Sequence, residues 1–229
     1  MFSAQLHDLM SAHFPSSPLA EQVEIPQGRL PESHEWMPTD YFRRATLNEI
    51  FPARPEAPVE IDLGCGDGSF LANLAKATPE HNFLGVERLL GRVRGSSRKA
   101  RENGCDNVRV LRLESEYSVE WLLPENMASR IHLLFPDPWP KKKHAHNRLF
   151  RTDFLAKLRK LLVPEGEFLF KTDHEEYFAW AEELSCDLPG WQRLPWPAEA
   201  FYYPLTDFET HWLSQGKKIQ GLRLRRIEG

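Results

Sequence analysis

An aspartate held between two prolines is followed closely by a tryptophan and a run of lysines. The segment reads Phe135-Pro136-Asp137-Pro138-Trp139-Pro140-Lys141-Lys142-Lys143. Proline lacks an amide donor and restricts φ, so the Asp137 carboxylate sits in a rigid, extended turn. Such a turn is either a surface corner with solvated lysines or a site where a fixed carboxylate, a ring and cations act together.

The residues around this loop predict alternating strands and helices. Ile131–Phe135 is a nearly continuous apolar run, which is typical of a buried strand in a parallel sheet. Further strands are predicted at 59–63, 82–86, 108–113 and 168–170, and helices at 41–51, 69–77, 91–103 and 152–162. This order predicts an α/β fold with a doubly wound, mostly parallel sheet, whose ligands bind at the carboxyl ends of the strands.

A glycine-rich turn lies between the first predicted strand and the helix that follows it. Its glycines are Gly64, Gly66 and Gly68, a spacing that departs from the G-x-G-x-x-G fingerprint of dinucleotide sites. Glycines let a ligand approach backbone amides at a helix N-terminus. Gly64 and Gly66 are therefore candidate cofactor contacts, and nicotinamide cofactors are disfavoured.

Acidic residues stand at the ends of four successive strands. They are Glu60 and Asp62 in the first strand, Glu87, Glu114 and Asp137. Each of these residues alone is most simply an exposed loop carboxylate. At the ends of neighbouring strands, however, they would together bind a cation that carries an adenosine. Glu87 is placed to accept both ribose hydroxyls, as the acidic residue after the second strand does in nucleotide-binding folds.

Together these motifs resemble those of one enzyme family. Glu60–Gly68 and Gly85–Glu87 resemble the first two motifs of class I methyltransferases, which bind S-adenosylmethionine (SAM) in a Rossmann-like fold. Phe135–Lys141, Lys171–Asp173 and Thr206–Glu209 in combination are similar to bacterial tRNA (guanine-N7)-methyltransferases. The resemblance implies methyl transfer from SAM to N7 of guanine at position 46, in the variable loop of tRNA.

The resemblance also implies roles for individual residues. SAM would contact Glu60, Glu87, Glu114 and Asp137, and tRNA would contact Lys141, Asp173, Thr206, Asp207, Phe208 and Glu209. Asp62 stands where many relatives have glycine, so either Glu60 or Asp62 is the acidic residue beside the methionine moiety. We further hypothesise that Asp137 acts in catalysis, by stabilising the positive charge that moves into the purine.

The length, charge and hydropathy of the chain set the remaining expectations about its domains, location and partners. The chain has 229 residues and a formal net charge of −4, with no apolar run long enough to cross a bilayer. We expect an irregular arm over residues 1–40, a single methyltransferase domain over 41–229, a cytoplasmic location, no membrane contact, no metal, and a monomer or homodimer. Basic residues cluster in three segments, at 88–101, 141–160 and 217–226. Such segments are ordinarily solvated, but on one rim they would bind phosphates.

Two other readings remain open at this point. One is a class I methyltransferase that acts on another nucleobase or on an amine. The other is a noncatalytic RNA-binding relative that kept the fold and lost the chemistry. Intact glycines and acidic strand ends disfavour the second reading, and binding of SAM discriminates it from the other two.

Overall fold

The computed structural model describes residues 34–197 and 199–228. The strands are β1 (Glu35–Trp36), β2 (Val59–Leu63), β3 (Asn82–Glu87), β4 (Val108–Arg112), β5 (Ala128–Leu134), β6 (Leu162–Thr172), β7 (Trp191–Leu194) and β8 (Gln220–Arg226). The helices are α1 (Leu47–Ile50), α2 (Ser69–Ala77), α3 (Leu90–Glu102), α4 (Ser115–Tyr117), α5 (Thr152–Leu161), α6 (Glu175–Ser185) and α7 (Asp207–Ser214). A π-helical turn at Ser118–Leu122 continues α4, and a 3-10 helix spans Lys142–Asn147.

The described strands form one sheet in the order β1-β4-β3-β2-β5-β6-β8-β7. Strands β1 to β6 run parallel, whereas β8 pairs antiparallel with both β6 and β7. The predicted doubly wound, mostly parallel sheet is confirmed. The order reverses between β2 and β5, so the carboxyl ends of these two strands flank the crevice where ligands bind in such folds.

Burial explains why the central strands form where the sequence predicts them. Every residue of β2 and β3 is buried, as expected for strands covered on both faces. Helices α2 and α3 pack their apolar side chains, such as Leu71, Leu74 and Val93, against β3 and β4. A larger core of aromatic and aliphatic side chains, including Phe154, Phe168 and Phe170, packs α5 and α6 on β5, β6 and β8.

The predicted helix over 41–51 is wrong in its extent. The observed helix α1 covers only Leu47–Ile50, because Thr46 caps it with its side chain and Glu49 completes a capping box. Before this cap, the Asp40 carboxylate accepts a hydrogen bond from the Phe42 amide at 2.8 Å, which stabilises a turn instead of a helix.

Most of the predicted N-terminal arm, residues 1–33, lies outside the described residues. At its end, Glu35 and Trp36 pair with Val110 and Leu111 as a parallel edge strand, which the sequence analysis did not predict. The division into an arm and a domain stays a prediction. No described helix has the length and apolar character needed to cross a bilayer. No group of three or more potential metal-ligating side chains converges among the described residues, and the expected absence of a metal stays a prediction.

Candidate active site

The glycine turn after β2 is built from left-handed backbone. Gly64, Gly66 and Gly68 have φ angles of 83°, 58° and 79°, which side chains with a Cβ rarely adopt. The Gly64 amide donates to the Val86 carbonyl at 2.8 Å, which ties the turn to β3. A Cβ on Gly68 would lie 2.1 Å from Ser96 Oγ, so glycine also lets α3 approach the turn closely.

A cleft of about 390 Å³, here called the Glu87 cleft, opens at the carboxyl ends of β2, β3 and β5. Glu87, Glu114 and Asp137 all line it, together with Gly64 of the turn. Glu87 is buried and accepts a hydrogen bond from the Leu89 amide at 2.8 Å. Glu114 is exposed and accepts one from the Tyr117 amide at 2.7 Å as the cap of α4. The fold therefore brings three of the predicted carboxylates to one cavity.

A second cleft of about 300 Å³, here called the Asp62 cleft, adjoins the Glu87 cleft. It shares Gly64, Arg92, Leu134 and Phe135 with the Glu87 cleft. Its other lining residues are Asp62, Cys65, Asp67, Ser69, Phe70, Thr206, Asp207 and Phe208. Two adjoining cavities with shared walls could hold two molecules between which a group is transferred.

Asp62 is buried beside Glu87, and the proximity of these two acids perturbs its ionisation. Burial and the negative charge of Glu87 raise the pKa of the Asp62 carboxyl to about 7. Among the described residues, Asp62 forms no ion pair. A cation placed in this region would therefore meet two carboxylates whose mutual repulsion it relieves.

Glu60 is held by two histidines and an arginine within the protein. Its carboxylate contacts His132 Nε2 at 2.8 Å, His81 Nδ1 at 3.0 Å and Arg130 Nη1 at 3.3 Å. Burial alone would raise the pKa of this carboxyl, but the hydrogen bonds from His132 and His81 and the charge of Arg130 outweigh burial and lower it. Glu60 lines neither cleft. Of the two alternatives beside the methionine moiety, the geometry favours Asp62.

The Pro-Asp-Pro loop is fixed by strained backbone and by a buried arginine. Phe135 and Trp139 have φ angles of 51° and 43°, and the Phe135 amide donates to the Lys171 carbonyl at 2.8 Å. Arg148 Nε donates to the Pro138 carbonyl at 2.8 Å, and its guanidinium lies over the ring of Tyr177, 5.0 Å from the centroid. Arg148, which we grouped with the phosphate-binding cations, is buried and anchors the loop instead.

The start of α7 faces the Asp62 cleft. Thr206 Oγ1 caps the helix by accepting from the Glu209 amide at 2.9 Å. The Asp207 carboxylate accepts from Ser69 Oγ at 2.9 Å, which joins α7 to the start of α2. The Phe208 ring is 54% exposed, and its centroid is 5.7 Å from that of Phe135. Phe208 therefore offers an open aromatic face at the cleft.

Glu209 lies in the first turn of α7, and its buried side chain anchors this helix to the rest of the domain. It accepts hydrogen bonds from Lys171 Nζ at 2.6 Å and from the Tyr203 hydroxyl at 3.1 Å, and Lys171 Nζ lies 3.8 Å from the centroid of the Tyr203 ring. Burial lowers the pKa of the Lys171 ammonium, while Glu209 counteracts that shift. Sequence reasoning did not single out Lys171 or Tyr203 as functional, although Lys171 belongs to one of the motifs that carried the resemblance.

Comparisons with known proteins show the family of this chain. The family model described as "Putative methyltransferase" matches residues 56–222. The tRNA (guanine-N(7)-)-methyltransferase of Syntrophotalea carbinolica is 32% identical over 172 residues, which cover 74% of each chain. The protein of the same name from Vibrio vulnificus is 33% identical over 178 residues, covering 74% of this chain and 73% of that one. This chain belongs to the tRNA (guanine-N7)-methyltransferase family.

Solved structures support the fold assignment for this member of the family. The 16S rRNA (adenine(1408)-N(1))-methyltransferase of Catenulisporales acidiphilia, solved with its cosubstrate SAM, superposes with a TM-score of 0.55. The match covers 80% of this chain and 92% of that one, at 17% sequence identity. The likeness confirms a Rossmann-like class I methyltransferase fold.

Three of the six residues that the resemblance assigns to the tRNA substrate line neither cleft, namely Lys141, Asp173 and the buried Glu209. Asp173 accepts from Lys217 Nζ at 3.3 Å, and that ammonium lies 3.2 Å from the centroid of the Trp212 ring. Lys141 is exposed at the start of the 3-10 helix. Their contacts with tRNA in this family member stay predictions, as do the other roles assigned residue by residue.

Proposed function

We propose that the chain transfers the methyl group of SAM to N7 of guanine 46 in the variable loop of tRNA. The observation that carries this proposal is the pair of buried carboxylates, Asp62 and Glu87, set beside a turn of left-handed glycines where the two clefts meet. Membership of the tRNA (guanine-N7)-methyltransferase family supports the choice of tRNA and of the N7 position.

The residues present fit SAM by charge and by space. SAM supplies a methyl group on a positively charged sulfur, next to an ammonium group. Asp62 and Glu87 provide the negative charge. Among the described residues, Asp62 has no ion pair, and the nearest cation to Glu87 in an ion pair is Arg92, at 3.9 Å. A Cβ on Gly64 would point into open space, so the turn leaves room for a ligand against its backbone. We assign Asp62 to the ammonium group, Glu87 to the ribose hydroxyls and Glu114 to the adenine.

The guanine acceptor fits the part of the Asp62 cleft that Phe135 and Phe208 line, while the ammonium group of SAM reaches Asp62 in the same cleft. Stacking of the base on the exposed Phe208 ring would hold it beside Phe135, one of the residues common to both clefts. N7 carries a lone pair and no proton, so no base is needed to prepare it for attack. Orienting N7 toward the methyl group is therefore the main contribution to catalysis, and such orientation lowers the activation barrier by roughly 7–11 kcal/mol in favourable cases. Asp137, fixed by its two prolines, stabilises the positive charge that develops on the purine.

Methyl transfer to an unmodified tRNA transcript tests the proposal. We expect label from methyl-labelled SAM to enter the transcript and to map to N7 of guanine 46. A transcript with 7-deazaguanine at that position has carbon in place of N7, and it should accept no label. Label on another nucleobase or on a protein amine would replace the proposal by a methyltransferase with another acceptor. Binding of tRNA without binding of SAM would identify a noncatalytic relative.

We also propose that the enzyme works in the cytoplasm, as a monomer or a homodimer. A cytoplasmic location follows from the substrate, since tRNA is modified where it is made and used. Light scattering of the purified chain measures the oligomeric state directly, and a larger assembly would contradict this expectation.

A further inference from the structure

Most basic side chains of the second and third cationic segments already have partners within the protein. Lys157 Nζ bridges Glu116 at 3.2 Å and Glu120 at 2.7 Å. Arg223 binds Glu167 at 2.6 Å, and Arg225 binds the same carboxylate at 3.3 Å. Arg148, Arg151, Arg159, Lys217 and Arg226 are likewise engaged with carboxylates, carbonyls or an amide oxygen. Among the described residues, the unpaired cations of these two segments are exposed lysines, namely Lys141, Lys143, Lys160 and Lys218.

The first segment behaves differently. Arg88, Arg94 and Arg98 are exposed, and among the described residues they form no ion pair. Helical spacing places Arg94 and Arg98 on one face of α3, four residues apart. Lys99, on another face, reaches Asp67 beside the glycine turn. The row of Arg94 and Arg98 is therefore turned away from α2, on the solvent side of the helix.

A third cleft lies at the end of β4 and includes one arginine of the first segment, Arg88. It has a volume of about 360 Å³ and is lined by Arg88 and Arg112, with Trp36, Met37 and Tyr41. Arg112 is exposed, lies opposite Glu87 in the register of β3 and β4, and forms no ion pair with any described residue. The third cleft shares Arg88 and Glu114 with the Glu87 cleft, and Glu35 also lines it. Its charge is mixed, but its two guanidiniums are free.

We propose that Arg88, Arg94, Arg98 and Arg112, here called the arginine surface, bind the phosphodiester backbone of the tRNA. The inference rests on the proposed function and extends it by naming the side of the protein on which the tRNA lies. On a chain with a net charge of −4, unpaired guanidiniums along α3 and at Arg88, which lines the Glu87 cleft, attract a polyanion to that side. Guanidinium groups suit phosphate oxygens because they donate two parallel hydrogen bonds. Tyr41 and Met37 add apolar surface for a nucleotide held in the third cleft.

The double variant Arg94→Gln/Arg98→Gln tests the arginine surface without touching either cleft of the active site. We expect the KM for tRNA to rise about tenfold with kcat unchanged, because two phosphate contacts are lost and the chemistry is intact. The slope of log affinity against log salt concentration should fall by roughly 1.4 to 1.8. The Kd for SAM should stay within about twofold of wild type. Arg112→Gln should also raise the KM for tRNA.

Lys160→Gln is the matched control, because Lys160 is an exposed cation at the end of α5 that forms no ion pair with any described residue. It should leave the KM for tRNA within about twofold of wild type. Wild-type values of KM and salt slope in the Arg94/Arg98 double variant would overturn the inference, and so would an equal loss in the Lys160 control. If the wild type transfers no methyl to tRNA, the proposed function fails. Filter binding of the same tRNA then tests the arginine surface on its own.

Discussion

Replacing Asp62 with asparagine should stabilise the ligand-free protein above pH 7 and weaken its binding of SAM. The folded state raises the pKa of the Asp62 carboxyl from 3.8 to about 7, through burial and the charge of Glu87. Between these two values the folded protein holds a proton that the unfolded chain has released. A carboxyl with a raised pKa thus favours folding at low pH, and this contribution is lost as the pH rises toward 7.

The magnitude follows from the size of the shift. At about 1.36 kcal/mol per pKa unit, ionising Asp62 costs the folded state at most about 4 kcal/mol by pH 8. Asparagine has nearly the same shape and no charge, so the variant should be more stable than wild type at pH 8 by up to that amount. At pH 5 the wild type has regained its proton, so the difference should shrink by about 2.7 kcal/mol.

Urea denaturation of both proteins at pH 5 and pH 8 measures this difference, and titration calorimetry measures SAM binding. Asp67→Asn is the control on the same turn. Burial would raise the pKa of Asp67, but the hydrogen bond and charge of Lys99 lower it, so its removal should slightly destabilise the protein at pH 8. An Asp62→Asn variant that is less stable than wild type at pH 8, or that binds SAM as tightly, would refute the reasoning.

Three further substitutions test the acceptor side of the site. Phe208→Ala should raise the KM for tRNA about tenfold or more, since base stacking is worth about 1–3 kcal/mol, while Phe208→Tyr should stay near wild type. Asp137→Asn should lower kcat by about 10²-fold in single-turnover methyl transfer, and an unaltered rate would remove Asp137 from catalysis. Glu209→Gln should cost about 3–5 kcal/mol of stability in urea unfolding by leaving Lys171 buried without a charged partner. Adding Lys171→Met to the Glu209→Gln variant should restore much of that stability. A double variant whose loss of stability equals the sum of the losses in the two single variants would argue against the ion pair.

The parallel part of the fold was predictable because it depends on local patterns. Strands β2 and β3 are short apolar runs that end at turn signals, and α2 has the predicted bounds, 69–77. The antiparallel edge formed by β7 and β8 was not predicted. β8 alternates buried leucines with arginines whose partners lie on the neighbouring strand, and such pairing is a tertiary feature.

The site was predictable in its residues but not in all of its contacts. Glu60 and Asp62 are two residues apart on one strand, so they point to the same face and the sequence alone does not separate them. Their difference comes from other strands, since Arg130 and His132 of β5 bind Glu60 through an ion pair and a hydrogen bond, and no ion pair compensates Asp62 among the described residues. The burial of Arg148 was not predicted for the same reason, because the rings of Tyr177 and Trp180 that its guanidinium contacts lie on a separate helix, α6.

A crystal structure of the chain with S-adenosylhomocysteine tests the central claim most directly, which is that donor and base meet at Phe135 between two acidic clefts. We predict that the homocysteine amino group contacts Asp62, that the ribose hydroxyls contact Glu87, and that the sulfur lies next to Phe135. A ligand bound elsewhere, or one that leaves both carboxylates without contact, would contradict the account.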